Sequence, residues 1–357
     1  MNTDTARKYH FEIGVYRPPS EGGSYSLLLR VTRNCPWNKC TFCGMYKEEK
    51  FAIRSVEEVK GDIDAVAAVR DDLRAISMAQ GHGGGVTREA VLELIRNAPD
   101  LNFSHGIGMV LDWLHSGGKT AFLQDANSPV MKTENLVAIL KHLRSTFPSL
   151  ERVTSYARSK TIARKSPEEL KAICEAGLDR LHVGLETGDP DLLKQIKKGS
   201  APEDHITGGK KAMAAGFQLS EYWMPGLGGK SDWKAHAQGT ARVLNAIDPH
   251  YIRSRPFFPH PGTPLFDDYQ SKDKELLSPR EQLVELRLMV EELEVTSKVC
   301  FDHAGNHWTG RDGRTLFSLS YEGYKFPEEK ERVLGLIDEG IEVQEKSPTG
   351  PPAWLTR

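Results

Sequence analysis

Apolar positions along this chain fall into two recurring patterns: short continuous runs, and longer segments with helical spacing. Tyr25–Val31 is the first run and reads as a buried strand. From Ser55 to Arg74 the residues Val56, Val59, Ile63, Val66, Val69 and Leu73 trace one helix face. Ser55 is its candidate N-cap, with Glu57 and Glu58 in the first turn, where a carboxylate suits the helix dipole. Arg88–Asn97 reads as a second helix, and Val110–His115 as part of a third. From Lys119 onward strand-like and helix-like segments alternate. The strands are Ala121–Leu123, Arg152–Ser155, Arg180–Leu185, Phe217–Tyr222 and Tyr251–Arg255. Between them lie helices over Thr133–Ser145, from Ser166 with Pro167 at the first helical position, over Pro190–Lys197 and Pro202–Ala215, and over Asp232–Ala246. Repeated βα units predict a parallel sheet with right-handed crossovers. Pro256–Leu265 is too rich in proline for a helix or sheet interior. Beyond it the pattern predicts an amphipathic helix Pro279–Ser297, a short apolar strand Val299–Phe301 and a helical tail Pro327–Gly340.

In folds built from βα units, chemistry gathers on the loops that leave the C-terminal strand ends. The loop after the first strand holds Cys35, Cys40 and Cys43, three of the five cysteines within nine residues, spaced Cys-x4-Cys-x2-Cys. Thiolates so spaced can converge on one soft metal centre. Three kinds of centre share the pattern. A [4Fe–4S] cluster on three cysteines leaves one iron open, a plant-type [2Fe–2S] cluster adds a distant fourth Cys, and a structural zinc takes another Cys or a His. An odd cysteine count with three clustered points away from a disulfide framework and toward a reducing cytoplasm.

Net charge is −2, so no global basic field attracts nucleic acid, although a local patch stays open. No apolar run approaches the roughly 20 residues that span a bilayer. Met1–His10 is polar and lacks the apolar segment of a secretory signal. The glycine run around His82 matches neither a P-loop nor a dinucleotide fingerprint and reads as a plain loop. Cys174 and Cys300 fall on apolar faces and read as buried core thiols, with no partner at metal spacing.

The cysteine loop resembles that of the radical S-adenosylmethionine (SAM) superfamily, where the common spacing is Cys-x3-Cys-x2-Cys, one residue shorter. Two further stretches carry the resemblance. Gly184-Leu185-Glu186-Thr187-Gly188, continuing through Leu193-Lys194 to Lys198-Gly199, looks like the Gly-Leu-Glu-x-Gly signature of the group with methylthiotransferases and anaerobic coproporphyrinogen oxidase. Pro261-Gly262-Thr263-Pro264-Leu265 follows the sixth strand, as a similar element does in that family. The resemblance implies an α/β fold with a partial (β/α)6 TIM-type barrel over residues 25–265. A leader would occupy 1–24, and an α+β extension over 266–357 would close the substrate side.

The resemblance also implies a chemistry. Cys35, Cys40 and Cys43 would hold one [4Fe–4S] cluster, with SAM (S-adenosyl-L-methionine) on the fourth iron. An electron from flavodoxin or ferredoxin would split SAM to methionine and a 5′-deoxyadenosyl radical, which abstracts hydrogen from a small organic or nucleoside-like substrate. Such an enzyme would be cytoplasmic and oxygen-sensitive. Glu186 would accept the ribose hydroxyls, since a carboxylate offers two acceptor oxygens. Asp125 and Asn127 would take the SAM ammonium, where the family often has Gly-Gly-Glu; a turn-forming Asx pair is the plain alternative.

Ser155 and Arg158 after the third strand, Met224 after the fifth, and Arg253 and Arg255 at the sixth would line the same site. For Arg158 a surface ion pair is equally open. Phe42 and Tyr46 would pack on adenine or simply fill core. His303 and Asn306, after the last strand, would face substrate or hold a polar turn. Two other readings remain: radical SAM modification of a peptide or RNA base, and a non-catalytic iron–sulfur or electron-transfer protein.

Overall fold

The computed structural model describes residues 8–14, 25–99, 101 and 106–346. Of the expected leader only 8–14 are among them. They fall into two compact units, each discontinuous in sequence. One comprises Met1–Pro36, Lys50–Tyr156 and Glu168–Arg180; the other comprises Trp37–Glu49, Ala157–Pro167 and Leu181–Arg357.

In the first unit β1 (Leu27–Arg30) pairs in parallel with β4 (Thr120–Gln124), which pairs in parallel with β5 (Arg152–Ala157). Leu28, Phe122 and Thr154 stand in one row across the three strands and are all buried. Strands covered on both faces read as continuous apolar runs, which is why the sequence displays them. Helix α1 (Val56–Ala79) starts at a capping box between Ser55 and Glu58 and buries Val59, Ile63, Val66, Val69 and Leu73. It packs on α4 (Thr133–Thr146), with α2 (Arg88–Asn97), α3 (Ile107–His115) and α6 (Pro167–Glu175) completing the helices of this unit. A two-residue antiparallel pair, β2 (Thr32–Arg33) with β3 (Ala52–Ile53), is too short to read from a pattern.

The second unit orders its strands β6 (Arg180–Glu186), β7 (Gln218–Trp223), β8 (Tyr251–Ser254), β9 (Lys298–Cys300) and β10 (Tyr324–Lys325). β9 runs parallel to β8, and β10 closes the edge antiparallel to β9. Helices α5 (Ser159–Arg164), α7 (Pro190–Gln195), α8 (Pro202–Ala214), α9 (Gly229–Ile247), α10 (Pro264–Gln270), α11 (Pro279–Glu291) and α12 (Lys330–Lys346) surround them. The sheet strands are mostly parallel, giving the mixed α/β architecture that the alternation predicts, and neither unit closes its strands into a barrel among the described residues.

Four expectations change. The helix expected over Pro279–Ser297 ends at Glu291. The Asp248 carboxylate accepts from the Thr296 N–H at 2.7 Å and the Ser297 hydroxyl at 3.3 Å, holding those residues out of the helix. α10 begins inside the proline-rich stretch because Thr263 caps it and Pro264 takes its first turn. The tail helix runs past Gly340 to Lys346. Gly340 is no stop: a Cβ there would lie 2.5 Å from Leu316, so glycine permits a close approach. Cys300 is fully buried as expected, whereas Cys174 is only half-buried.

Candidate functional site

β6 ends on Glu186, whose backbone is left-handed (φ 62°). That conformation is uncommon for a residue with a side chain. The Glu186 carbonyl accepts from the Met224 N–H at 3.0 Å, tying this strand end to the turn after β7. Lys198 Nζ stands 2.6 Å from Glu186 Oε1, and both side chains are about nine-tenths buried, at 10% and 12% exposure. Glu221, on β7, is fully buried, and among the described residues neither of its carboxylate oxygens has a hydrogen-bond partner. Burial pushes its pKa well above the ordinary range, opposed by the charge of Lys198.

Three sequence motifs meet in the second unit. The Thr41 N–H donates to the carbonyl of Ile196, just past α7, at 3.0 Å. The Thr41 carbonyl accepts from the Leu265 N–H, also at 3.0 Å. Phe42 and Met224 pack against Leu192, Ile196, Leu227, Phe257 and Leu265. The cysteine loop, the helix that follows Glu186 and the Pro261–Leu265 element therefore share one apolar seat.

Within the loop the Cys43 N–H donates to the Cys40 carbonyl at 3.4 Å, so these two thiols sit on one tight turn. Lys47 Nζ donates to the carbonyls of Cys40 at 2.8 Å and Asn38 at 3.3 Å. Tyr46 is buried, and its carbonyl accepts from the Asn38 amide. Soft thiol donors beside a lysine suit an anionic iron–sulfur cluster. Among the described residues no three His, Cys, Asp or Glu side chains gather round one ion-sized point. Cys35 belongs to the first unit.

Asp125, Asn127 and Ser155 also lie in the first unit and are buried. Asp125 Oδ2 accepts from Arg30 Nε at 3.0 Å, from Arg30 Nη2 at 2.9 Å and from the Asn34 N–H at 2.8 Å, while Oδ1 has no partner among the described residues. Ser155 Oγ donates to main-chain carbonyls of Tyr156 at 3.0 Å and Leu123 at 3.3 Å.

In the second unit Arg158 Nη2 donates to the Lys198 carbonyl at 2.6 Å. Arg253 is 1% exposed, paired with Asp302 at 2.9 Å and bonded to Ser220 Oγ at 3.1 Å, with its guanidinium 4.0 Å from the Tyr321 ring centre. The Arg255 N–H donates to the Trp223 carbonyl at 2.9 Å. Asn306 braces Ser254 from both ends of its amide, at 2.8 Å and 3.0 Å, and also donates to the His303 carbonyl at 3.0 Å. His303 Nδ1 accepts from the Gly305 N–H at 3.0 Å, and burial pushes its pKa down to about 4, so the ring is neutral near pH 7.

The sequence reading missed a polar hub behind these strand ends. His236 on α9 donates from Nε2 to the Met224 carbonyl at 3.0 Å. Because a carbonyl only accepts, the proton lies on Nε2, and Nδ1 accepts from the Thr187 hydroxyl at 2.7 Å. Burial lowers the His236 pKa to about 4. Glu285 on α11 is fully buried, and its Oε2 accepts from the Gly226 N–H at 2.5 Å. Burial raises its pKa to about 8. The turns after β6 and β7 are thus fixed from behind by α9 and α11. A signal was available. Glu221 interrupts an apolar strand, and Gln282 and Glu285 fall in phase with the Leu286 and Met289 stripe.

Within the second unit, polar groups gathered at the ends of its parallel strands define a strand-end site. Residues 115–237 match the family model for the radical SAM superfamily. The match includes Glu186 and Lys198; the cysteine loop lies ahead of it. The chain is similar to the heme chaperone HemW of Bacillus subtilis (strain 168), with 25% identity over 169 residues, 47% of this chain and 44% of HemW. It is similar also to biotin synthase of Desulforudis audaxviator (strain MP104C), with 27% identity over 132 residues, 37% of each chain. It spans less than half the length of these curated relatives. Among solved structures, archaeal Methanocaldococcus infernus Elp3 with an N-terminal deletion aligns at TM-score 0.46 and 15% identity, covering 73% of this chain and 66% of that one. Among the described residues no helix is long and apolar enough to cross a membrane.

Proposed function

We propose that the protein is a radical SAM enzyme in which Cys35, Cys40 and Cys43 hold one [4Fe–4S] cluster and Glu186 grips the ribose of SAM. Such a cluster with SAM bound supplies one-electron cleavage to methionine and a 5′-deoxyadenosyl radical that abstracts hydrogen from substrate. The residues of this chain bind, orient and shield. Phe42, seated on Leu192 and Leu265, fixes the backbone between Cys40 and Cys43. Glu186, paired with Lys198, offers acceptor oxygens to two vicinal hydroxyls. Met224 and the turn after it, held by His236 and Glu285, form a rigid apolar wall that keeps water from the reacting centre.

The observation that carries this reading is the common seat of the cysteine loop, the helix after Glu186 and the Pro261–Leu265 element. A flavodoxin- or ferredoxin-type protein is the electron donor, and a small organic or nucleoside-like molecule the substrate. The test is anaerobic reconstitution with iron and sulfide, followed by SAM and dithionite. Formation of 5′-deoxyadenosine is the expected result. A bound cluster with SAM left intact would instead mark an electron-transfer protein.

A further inference from the structure

Between Cys35 and Cys40 lie Pro36, Trp37, Asn38 and Lys39, one residue more than the common spacing. A longer loop has more conformers to lose when it closes. What selects one of them here is visible in the second unit. Asn38 takes a left-handed backbone (φ 47°), and Trp37 lies half-buried against the turn at Lys197, Lys198 and Gly199. Trp37 Nε1 donates to the Lys197 carbonyl at 2.7 Å. Arg158 donates to the Lys198 carbonyl at 2.6 Å, with its guanidinium 5.2 Å from the Trp37 ring centre. Lys160 donates to the Gly199 carbonyl at 3.3 Å. Three consecutive carbonyls are each taken by a side chain from outside the turn.

The turn is also shaped for the indole. Lys197 and Gly199 both have positive φ, 51° and 73°. A Cβ on residue 199 would lie 2.3 Å from the Trp37 ring, so glycine is needed there for both backbone and fit. The residue between them, Lys198, sends its ammonium to Glu186.

We propose that Trp37 is a positioning residue that fastens the lengthened cysteine loop to the Lys197–Gly199 turn. The Cys40–Cys43 backbone and the Glu186 carboxylate are thereby held in fixed relation, with Lys198 as the link. Accommodation of the extra residue and grip on SAM become one mechanical problem with one solution. The inference rests on the radical SAM reading of Cys40, Cys43 and Glu186.

The test compares wild type, Trp37→Phe, Trp37→Ala, Glu186→Gln and the Trp37→Phe/Glu186→Gln double variant after anaerobic reconstitution. Iron content and SAM affinity by equilibrium dialysis are measured on each. Trp37→Phe keeps an aromatic ring but loses the N–H and part of the indole edge against Gly199, so iron content is expected to match wild type while SAM binds about three- to tenfold more weakly. Trp37→Ala is expected to lose iron as well. In the Glu186→Gln background the Phe substitution is expected to cost less than about twofold, because coupled residues are not additive. Unchanged SAM affinity in Trp37→Phe, or an equal loss in both backgrounds, overturns the proposal. Wild type that takes up neither cluster nor SAM removes the radical SAM reading itself. Wild type that binds both while Trp37→Phe is silent overturns this inference alone.

Discussion

Asp125, just after β4 in the first unit, and Glu186, ending β6 in the second, are both strand-end carboxylates paired to a cation. The separations are close, 2.9 Å to Arg30 and 2.6 Å to Lys198. Their surroundings differ in kind. Asp125 Oδ2 is held by two guanidinium nitrogens and the Asn34 N–H, and Arg30 also bonds Glu12 at 3.0 Å and the Asn34 side chain at 3.0 Å. Planar guanidinium forks of this sort define a rigid lattice. Glu186 faces one lysine, a compact charge on a flexible stem. The guanidinium fork fixes one oxygen of Asp125 and leaves Oδ1 without a partner among the described residues, whereas a single ammonium holds Glu186.

The largest effect that sharpens this contrast belongs to Asp125. Asp125→Ala strands the Asn34 N–H and part of the Arg30 fork, and should lower unfolding free energy by about 3 kcal/mol, read by urea denaturation. Glu285→Ala comes next, near 2 kcal/mol, since it leaves the buried Gly226 N–H unpaired. Glu285→Gln separates the charge from the hydrogen bond through pH. A carboxyl whose folded pKa is raised to about 8 contributes stability that is complete below its unfolded value near 4.5 and is lost as pH rises through 8. The slope is at most about 1.4 kcal/mol per pH unit, and it should flatten between pH 5 and 8 in Glu285→Gln. His236, depressed to about 4, works in the opposite direction: its contribution is present above pH 6.5 and lost as pH falls toward 4.

Glu186→Gln should alter stability by less than about 1 kcal/mol while weakening SAM binding about tenfold, measured by equilibrium dialysis. An equal stability loss at Asp125 and Glu186 would break the contrast between them. The smallest effect belongs to the exposed Lys194–Asp191 pair, 78% exposed on both sides. Lys194→Ala should change the urea midpoint by an amount equivalent to less than about 0.5 kcal/mol.

Much of this was legible because burial on both faces of parallel strands leaves continuous apolar runs. The strands of the main sheet from Leu27 to Ser254 and the helix cap at Ser55 follow from local chemistry alone. α5 was not legible: it buries only Ser159 and Ile162, so no helical stripe exists to read. At the site, the cysteines and Glu186 announced themselves by motif. His236 and Glu285 did not, because their role depends on which turns α9 and α11 lie behind, a tertiary fact with no local spacing. The pairing of Arg253 with Asp302 and of Asn306 with Ser254 was not legible either, because these partners are distant in sequence.

The most direct test is an anaerobic crystal structure of the reconstituted protein with SAM. The expected result is one four-iron cluster bound through the sulfurs of Cys35, Cys40 and Cys43, with the SAM ribose on the Glu186 carboxylate. A fourth protein ligand on the cluster, or a ribose that leaves Glu186 untouched, would contradict it.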